Sequence, residues 1–530
     1  MSFSYLQGAQ TLQRMTTAGA LTSLTLPAGV TLSSTRRPRW AILGENVLMV
    51  HSPERPLWMK ADTTTVRLAD IRPPVTAVTL TAIGTGTLSG TFRVRASFLV
   101  KDTETGQVLF ESALGPESEA SATLASQLLR VQNIPIAAEV AVNARRLYRT
   151  TTGPGAVYFA WIDIDDNTQT DIRDDMADAQ LSLLPAPFDL GMIPESLKLI
   201  TSWRDRLWAV SDRDPHFVWY SGDRKFYGWP SVNKVPIPPL GEDEFGVMAF
   251  APRQDELGVL KRDAIHKITS FDETTFRRSI VKSGVGCIAP ESVVTVDDIT
   301  YFLGEDGVYE WTLAGVQSIT DDRVHAWFNT TTYFQRASLI DAVGRYNNNS
   351  QSYELLLPAT GAATLNRWIS WDIGERLWLG PHLTANFTPN YMATLEDADD
   401  LSLPVICSTA GTVFQEQSTR TDGITSNTQI VLDVDTGFMS TNTPDIHKLF
   451  LQPTLISKVQ NSGTLTITPT VGGLDAIAGQ PLRADMTKGR ERLPRLGVGR
   501  FVQLNFVNRT AGEDIEIFGY ELPWHELGRR

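Results

Sequence analysis

Residues 300–311 read TYFLGEDGVYEW, which is two short apolar stretches on either side of a Gly-Glu-Asp-Gly turn. Aromatic and β-branched residues are typical of strands, and a glycine-containing turn between two such stretches favours a hairpin. Similar pairs of stretches occur six times, at residues 47–59, 207–220, 257–268, 300–311, 353–371 and 405–415. These repeats predict an all-β protein.

The later hairpins are evenly spaced. They begin at residues 207, 257, 300, 353 and 405, so the spacing is 50, 43, 53 and 52 residues. A repeat of about 45–50 residues with four strands in each unit is typical of β-propeller blades. One blade cannot bury both of its faces alone, so several blades stack around an axis. The sequence predicts a β-propeller of about six blades.

The first interval is much longer, because the hairpin at residue 47 is followed by the next only at residue 207. The excess sequence, residues 72–186, has proline pairs near its ends and short alternating segments between them. These segments lie near residues 91–98, 107–110, 128–131, 145–150 and 157–161. This pattern favours an inserted β-sandwich of the fibronectin or immunoglobulin type. We also expect short helical turns near residues 118–130 and 321–328.

These patterns divide the chain into four domains. Residues 1–71 form an N-terminal segment and the first blade, and residues 72–186 form the insert. Residues 187–424 form the remaining blades, and residues 425–530 form a C-terminal β-sandwich or platform domain. The last domain has alternating segments near residues 430–434, 448–453, 464–471, 500–506 and 515–522. We expect residues 523–530 to be an exposed tail.

The charge balance is acidic: 47 Lys and Arg against 60 Asp and Glu give a net charge of −13 over 530 residues. This argues against a protein that grips nucleic acid over a wide surface by neutralising phosphates. Cys287 and Cys407 lie in apolar, strand-like segments, which favours two buried free thiols, although the sequence also allows a disulfide. We find no secretory signal and no apolar run that would span a membrane.

One acidic segment has the spacing of a calcium loop. Its candidate ligands are Asp163, Asp165, Asn167, Asp171 and Asp174. The glycine that such a loop needs at its sixth position is replaced by Thr168, and an aspartate stands where the closing glutamate belongs. A solvated loop that closes the insert is therefore the favoured interpretation, and a calcium site is the alternative.

Two further segments have a functional and a structural interpretation. The turn at residues 304–307 resembles the Asp-box turns of sialidases, but a plain hairpin turn is favoured. A group of aromatic residues could stack on sugars or single-stranded nucleic acid, although core packing is favoured. This group is Trp203, Trp208, Trp219, Tyr220, Phe226, Tyr227 and Trp229. The sequence shows no catalytic motif, and we expect no catalytic residue, cofactor or metal.

The order of propeller hairpins, fibronectin-like insert and terminal β-domain resembles the tail nozzle proteins of short-tailed bacteriophages. That group includes packaged-DNA stabilisation proteins and the larger tail tubular proteins. The likeness is carried by short segments at residues 37–43 (RPRWAIL), 115–121, 144–150, 203–210 (WRDRLWAV), 218–222, 284–293 (GVGCIAPESV), 301–311, 319–324, 499–500 and 516–522 (EIFGYEL).

The resemblance implies a structural virion protein, made in the host cytoplasm and located in the phage tail. It implies a homo-oligomer, a hexameric ring, that contacts head-to-tail adaptor proteins and tail fibres or spikes. Genomic DNA would pass through the ring without specific binding, and negative charge along the channel would repel its phosphates. The ring would help to retain and then release the genome. The alternatives are a carbohydrate-binding or glycoside-hydrolysing β-propeller, and another tail part such as a hub or fibre-attachment protein.

Overall fold

A computed structural model of the chain shows an all-β protein that divides into two compact units, Met1–Gln415 and Glu416–Arg530. The structure describes residues 2–6, 11–15, 21–32, 36–60, 65–153, 157–181, 185–187, 189–239, 246–270, 275–320, 322–329, 333–383, 387–396, 402–415, 421–422, 428–429, 432–436, 439, 446–460, 463–472, 477–508 and 517–528. Within these ranges, no helix has both the length and the apolar character needed to cross a membrane.

The first unit begins with two small antiparallel sheets. One consists of β1 (Ser2–Leu6), β2 (Thr11–Met15) and β3 (Leu21–Leu24). The other, sheet 1, consists of β4 (Arg39–Leu43), β5 (Asn46–Val50), β6 (Leu57–Lys60) and β7 (Arg67–Leu68). Leu12 and Leu24 pack against Val47 and Met49, which lie on one face of sheet 1.

Two antiparallel sheets follow, and all their strands lie inside the predicted insert. The strands are β8 (Thr79–Gly90), β9 (Val94–Lys101), β10 (Val108–Glu111), β11 (Leu124–Gln132), β12 (Ala144–Thr150), β13 (Tyr158–Ile164) and β14 (Asp171–Asp174). A 3₁₀ turn at Asp178–Gln180 comes next. One sheet has the order β10-β9-β12-β13 and the other β14-β11-β8. Val94 and Leu147 from the first share a buried core with Leu129 and Val131 from the second.

The predicted helical turn near residues 118–130 is wrong, because β11 occupies much of this range. The backbone of β11 pairs with β8 on one side and β14 on the other, so its hydrogen bonds go to neighbouring strands. A bulge at Ser126, with φ of 53°, interrupts the alternation of the strand. Because the strand contains this bulge, its apolar residues do not alternate strictly, and the spacing of Leu124, Leu128 and Leu129 in the sequence resembles that of one helix face.

Five more antiparallel sheets complete the first unit. Sheet 2 contains β15 (Leu197–Trp203), β16 (Arg206–Ser211), β17 (Phe217–Tyr220) and β18 (Lys234–Pro236). Sheet 3 contains β19 (Val247–Pro252), β20 (Glu256–Lys261), β21 (Ala264–Ser270) and β22 (Phe276–Ser283). After a 3₁₀ turn at Pro290–Ser292, sheet 4 contains β23 (Val294–Val296), β24 (Ile299–Leu303), β25 (Val308–Thr312) and β26 (Gly315–Ser318).

Helix α1 (Asp322–Asn329) and a 3₁₀ turn at Arg336–Asp341 lead to sheet 5. Sheet 5 contains β27 (Val343–Asn347), β28 (Ser352–Pro358), β29 (Leu365–Asp372) and β30 (Leu377–Leu383), and sheet 6 contains β31 (Pro389–Glu396), β32 (Ser402–Ser408) and β33 (Val413–Gln415). The six predicted hairpins are confirmed as β5–β6, β16–β17, β20–β21, β24–β25, β28–β29 and β32–β33. Helix α1 confirms the predicted helical turn over residues 322–328, and residue 321 lies outside the described residues.

Neighbouring sheets of the first unit share buried cores. The first strands of sheets 1 to 6 also contact one another in order, from β4 and β15 through β19, β23 and β27 to β31. Between sheets 4 and 5, the rings of Tyr301 and Tyr353 stack with centroids 5.2 Å apart. Between sheets 1 and 2, Trp58 and Leu207 share a core with Phe110 of the insert. Consecutive sheets therefore pack face to face along the chain.

The second unit has its own core and its own sheets. Its strands are β34 (Thr421–Asp422), β35 (Thr428–Gln429), β36 (Leu432–Asp435), β37 (His447–Phe450), β38 (Thr454–Ser457), β39 (Thr464–Gly472), β40 (Ile477–Ala478), β41 (Leu482–Asp485), β42 (Arg490–Arg492), β43 (Gly497–Gly499), β44 (Phe501–Asn508), β45 (Ile517–Glu521) and β46 (Trp524–Gly528). The largest sheet has the order β36-β44-β39-β40, with β41 also on β39. Leu465, Ile467, Val502 and Leu504 lie in the core of this unit.

The strands predicted in the second unit are confirmed by β36, β37, β39, β44 and β45, although residues 430–431 and 515–516 lie outside the described residues. The predicted exposure of the segment 523–530 is confirmed for residues 523–527, but the prediction of a tail is wrong over Trp524–Gly528, which form β46 and pair with β37; residues 529–530 lie outside the described residues. The side chains of this strand are exposed, including Trp524 and Leu527. Pairing through the backbone leaves little trace in such a sequence, which explains the error.

Candidate functional site

A cavity of about 650 Å³ lies among the six sheets of the first unit. Every one of these sheets, or a loop directly beside it, contributes to the wall. Representative wall residues are Arg39 from sheet 1 and His51 directly after its strand β5, Lys198 from sheet 2, Met248 from sheet 3, Glu291 beside sheet 4, Leu365 from sheet 5 and Asn390 from sheet 6. We call this space the central cavity.

Arg37 connects distant parts of the wall of the central cavity. One terminal nitrogen of its guanidinium donates to the carbonyl oxygen of Asp341 at 3.1 Å, and the other donates to that of Asn390 at 3.0 Å. The guanidinium also lies over the ring of Tyr391, 5.8 Å from its centre. The segment before β4 is therefore hydrogen-bonded to a residue just before sheet 5 and to a residue of sheet 6.

Two more arginines of the wall are held by carboxylates. Arg39 pairs with Glu291 at 3.0 Å, and both side chains are largely buried. Arg36 pairs with Asp212 at 2.5 Å, and the same carboxylate accepts a hydrogen bond from the Ser52 hydroxyl. These contacts fix the positions of both guanidinium groups at the edge of the cavity.

The charged side chains that line the central cavity are mostly cationic. Arg36, Arg37, Arg39 and Lys198 stand against Glu291 and Asp341. His51 is only 3% exposed, and burial lowers its pKa although the Thr31 backbone and Glu54 oppose this shift. The ring is therefore neutral at pH 7. With the Asp212 carboxylate that pairs with Arg36 included, four cationic side chains stand against three carboxylates, so the wall keeps a small positive excess within a chain of net charge −13.

The predicted calcium ligands are bound to basic side chains. Asp163 pairs with Arg146 at 2.7 Å and with Lys101 at 2.8 Å, and Asp165 pairs with the same lysine at 2.6 Å. Asp171 pairs with Arg130, and Asp174 pairs with Arg149. Burial alone would raise the pKa of Asp163, but its hydrogen bonds from Arg146 and Lys101 hold that pKa below the usual value.

These five residues do not form one loop. Asp163 lies in β13, opposite Arg146 in β12, while Asp171 and Asp174 lie in β14. The prediction of a solvated loop over the whole segment is therefore wrong, and only residues 165–170 connect the two strands. Among the described residues, no group of three or more His, Cys, Asp or Glu side chains is placed to hold a metal ion.

The predicted aromatic group lies mainly in the core of sheet 2. Trp203, Trp208 and Trp229 are between 0% and 6% exposed. Their indole N–H groups donate to main-chain carbonyl oxygens, as shown by Trp203 with Arg253 at 2.8 Å and Trp208 with Trp203 at 3.0 Å. With their polar groups satisfied and their faces covered, these rings pack the core, as the favoured interpretation predicts.

The turn at residues 304–307 joins β24 to β25, so the predicted hairpin turn is confirmed. The Gly304 N–H donates to the Gly307 carbonyl at 2.8 Å, and Gly307 has a φ of 155°, which favours glycine. Glu305 forms an ion pair with Arg262 at 3.1 Å, and Asp306 accepts a hydrogen bond from the Tyr309 hydroxyl.

The two cysteines are free thiols, as predicted. Cys287 is fully buried, and burial raises its pKa to about 12. Cys407 is only half-buried, so the expectation of full burial is wrong for this residue, and burial raises its pKa to about 11. Both thiols are therefore protonated at pH 7 and weak as nucleophiles.

Sequence reasoning did not find the central cavity. Its wall residues, such as Lys198, Glu291 and Asp341, are distant in sequence and share no motif. Several wall residues, such as Lys198, Met248 and Asn390, lie near the start of the first strand of their sheet. In each of these sheets, the predicted hairpin begins with the next strand along the chain. The hairpin period could therefore have located the wall, but not its charge.

Comparisons with known proteins give no family: no protein-family model matches the chain, and no curated protein does. Matching solved structures include BBS1N in complex with ARL6DN (8% identity, 55% of this chain and 84% of that one, TM-score 0.26). They also include YCF48 bound to D1 peptide (10% identity, 59% and 91%, TM-score 0.26) and the computationally designed Ika8 protein (13% identity, 71% and 95%, TM-score 0.25). At these TM-scores the matches carry no argument about this chain.

Proposed function

We propose that the first unit is a closed β-propeller of six blades with a fibronectin-like β-sandwich inserted after the first blade. Six antiparallel sheets follow one another along the chain, and the first strands contact their neighbours in order. The two hydrogen bonds from Arg37 to the carbonyls of Asp341 and Asn390 support closure between the first and last blades. The shared core of the two insert sheets supports the sandwich.

We propose further that the protein is a structural virion component, the tail nozzle subunit of a short-tailed phage. The supporting observation is the order of parts: the small sheet of β1–β3 and sheet 1, then two inserted sheets, five more sheets and a terminal β unit. This is the order that the sequence resemblance implies. In this role, six subunits form a ring around the DNA exit channel and help to retain and release the genome.

The acidic charge is compatible with that role. A ring of six chains, each of net charge −13, creates a negative field that repels phosphates wherever this charge faces the channel. DNA then slides instead of adhering. Contacts between subunits in such a ring are heterologous, because each subunit presents two different surfaces to its two neighbours.

The test is the symmetry of the native assembly. We expect electron cryomicroscopy of the recombinant protein, or of virions that contain it, to show a six-fold ring on the tail axis. A monomer in solution that is absent from the tail axis would contradict the proposal. Three-fold symmetry would instead favour a hub or spike, and binding on a glycan array would favour the carbohydrate-binding alternative.

A further inference from the structure

We propose that the central cavity binds a small multivalent anion that carries carboxylate or phosphate groups. The inference concerns the first unit of a single chain. It does not depend on the oligomeric state or on the proposed role in a phage tail.

The volume of the cavity suits a small molecule. Ligand sites in proteins are typically about 300–1,000 Å³, and the central cavity measures about 650 Å³. Sheets 1 to 6, or loops directly beside them, contribute to its wall, so its shape depends on how these six sheets pack. Double-stranded DNA is too wide to be enclosed in such a volume, so the ligand must be a small molecule.

The charge of the wall selects the sign of the ligand. Four cationic side chains, Arg36, Arg37, Arg39 and Lys198, line the cavity with two carboxylates. Both hydrogen bonds from Arg37 go to neutral carbonyl oxygens, so neither of these contacts neutralises its charge. Guanidinium groups match carboxylate and phosphate in geometry, because their parallel N–H donors fit two acceptor oxygens.

The arginines are held in place before a ligand arrives. Asp212 holds Arg36 and also accepts from Ser52, while Glu291 holds Arg39. Side chains that are already ordered lose little conformational entropy on binding, so more of the electrostatic attraction appears as affinity. Arg36 lines the cavity, and its side chain is 51% exposed.

The wall disfavours a neutral sugar or a base. No Phe, Tyr or Trp side chain is among the described residues that line the cavity, and the one ring that does line it, the imidazole of His51, is only 3% exposed, so the wall offers no broad stacking platform. A metal cation is also disfavoured, because Glu291 is engaged by Arg39 and the net charge of the wall is positive. A small anion is the ligand class that the chemistry of this wall favours.

Titration calorimetry with the full-length protein tests the proposal. The probes are inorganic phosphate and malonate, each titrated at pH 7 and at constant ionic strength maintained with chloride. We expect saturable binding of at least one probe, with one site per chain. A preference for phosphate or for malonate distinguishes the two anion chemistries, whereas no saturable binding of either probe would overturn the proposal.

Charge variants locate the site. We expect Lys198→Gln and Arg36→Gln each to weaken binding by about tenfold, the effect of losing one charge-assisted hydrogen bond. Asp341→Asn should strengthen binding, because it removes a negative charge but keeps the backbone carbonyl that Arg37 uses. Arg213→Gln is the matched control, since this exposed arginine pairs with Glu195 and does not line the central cavity.

Binding that is equally strong in Lys198→Gln and in the Arg213→Gln control would overturn the proposal. Because a variant can lose binding through misfolding, thermal unfolding is measured for each one. Lys198→Arg retains the charge and should bind within about threefold of the unchanged protein, as expected for a contact made by charge. Loss of binding in this conservative variant, with an unchanged unfolding temperature, would also contradict the assignment.

Discussion

At the scale of single residues, buried arginines organise the polar interior of the first unit. Arg345 in sheet 5 is 4% exposed and pairs with the buried Glu354, whose other oxygen accepts from Asn347 at 2.9 Å. Arg345 also donates to the carbonyl oxygen of Val405 in sheet 6 at 3.0 Å. One side chain thus satisfies a buried carboxylate and links two neighbouring sheets.

Replacing Arg345 should therefore be costly. We expect Arg345→Met to lower the free energy of unfolding by about 3–5 kcal/mol, because Glu354 would be left buried without its charge partner. The matched control is Arg213→Met, which breaks the exposed pair with Glu195 and should cost less than about 1 kcal/mol. Urea denaturation of both variants checks this prediction, and equal losses in the two would contradict it.

Asp163 should make stability depend on pH. Its pKa is lowered in the folded protein, where its bonds from Arg146 and Lys101 outweigh burial. The stability it contributes is therefore present above its unfolded pKa of about 3.9 and is lost as the pH falls through the lower folded value. We expect Asp163→Asn to cost about 1–2 kcal/mol at pH 7 and progressively less below about pH 4.

Denaturation of Asp163→Asn and of the unchanged protein at a series of pH values from 7 to 3 measures this difference. Glu195→Gln, which alters the exposed pair with Arg213, serves as the control and should show a small difference throughout. A cost for Asp163→Asn that stays constant down to pH 3 would contradict the assigned role of the ionised carboxylate.

The positions of single residues also explain why the sequence suggested a calcium loop. In the sequence, Asp163 to Asp174 has the spacing of a ligand loop. The partners that explain these acids, Lys101, Arg130 and Arg146, are 17 or more residues away and become neighbours only through strand pairing. A local pattern contained the acids but not the bases that neutralise them.

At the scale of elements, hairpins were predictable and strands with distant partners were not. The β24–β25 hairpin is encoded within twelve consecutive residues, including its turn. By contrast, β11 pairs with β8 and β14, and β46 pairs with β37, about 75 residues earlier in the chain. Segments of this kind look helical or disordered by themselves, because tertiary pairing decides their conformation.

Contacts between sheets depend on close backbone approach at Gly258 in β20. A Cβ at this position would lie 2.5 Å from Cζ3 of Trp311 in sheet 4 and 2.9 Å from the Cβ of Ala251. We expect Gly258→Ala to lower the free energy of unfolding by about 1–3 kcal/mol, because sheets 3 and 4 would have to separate.

Chemical denaturation measures the effect of Gly258→Ala. Gly374→Ala is the comparison, since the nearest atom to its new Cβ would be the Asp372 carboxylate at 3.5 Å. That substitution should change stability by less than about 0.5 kcal/mol. If both variants were equally stable, the close contact of Gly258 with Trp311 would not limit the packing of the two sheets.

At the scale of the whole molecule, the two compact units have separate cores. Leu260 is fully buried in the first unit and Leu465 in the second. We expect calorimetry to resolve two unfolding transitions, one for each unit. Leu260→Ala and Leu465→Ala should each cost about 2–5 kcal/mol, and each should shift a different transition. If either substitution shifted both transitions together, the units would unfold as one.

The sequence revealed the repeat of the first unit but not the centre that its sheets share. The six hairpins could be identified from the sequence because both strands of each hairpin lie within one short segment. The central cavity is a property of their assembly, and residues such as Lys198 and Asp341 have no pattern of their own. For the same reason, the proposed function rests on the order of the parts, whereas the proposed anion site rests on side chains that only folding brings together.

The insert between sheets 1 and 2 has a consequence for the order of folding. β4 and β15 contact each other and the Ser52 N–H donates to the Leu197 carbonyl at 3.1 Å, although the whole insert separates them in sequence. Closing a long flexible loop costs entropy that grows with its length. An insert that has already formed its own core replaces this loop with a compact body, and its Phe110 shares a core with Ile71 and Ile193, which lie on either side of the insert in sequence. If the insert folds first, it holds sheets 1 and 2 close together in space. The entropy cost of bringing β4 to β15 is then lower, and we expect these two sheets to pack soon after the insert has folded.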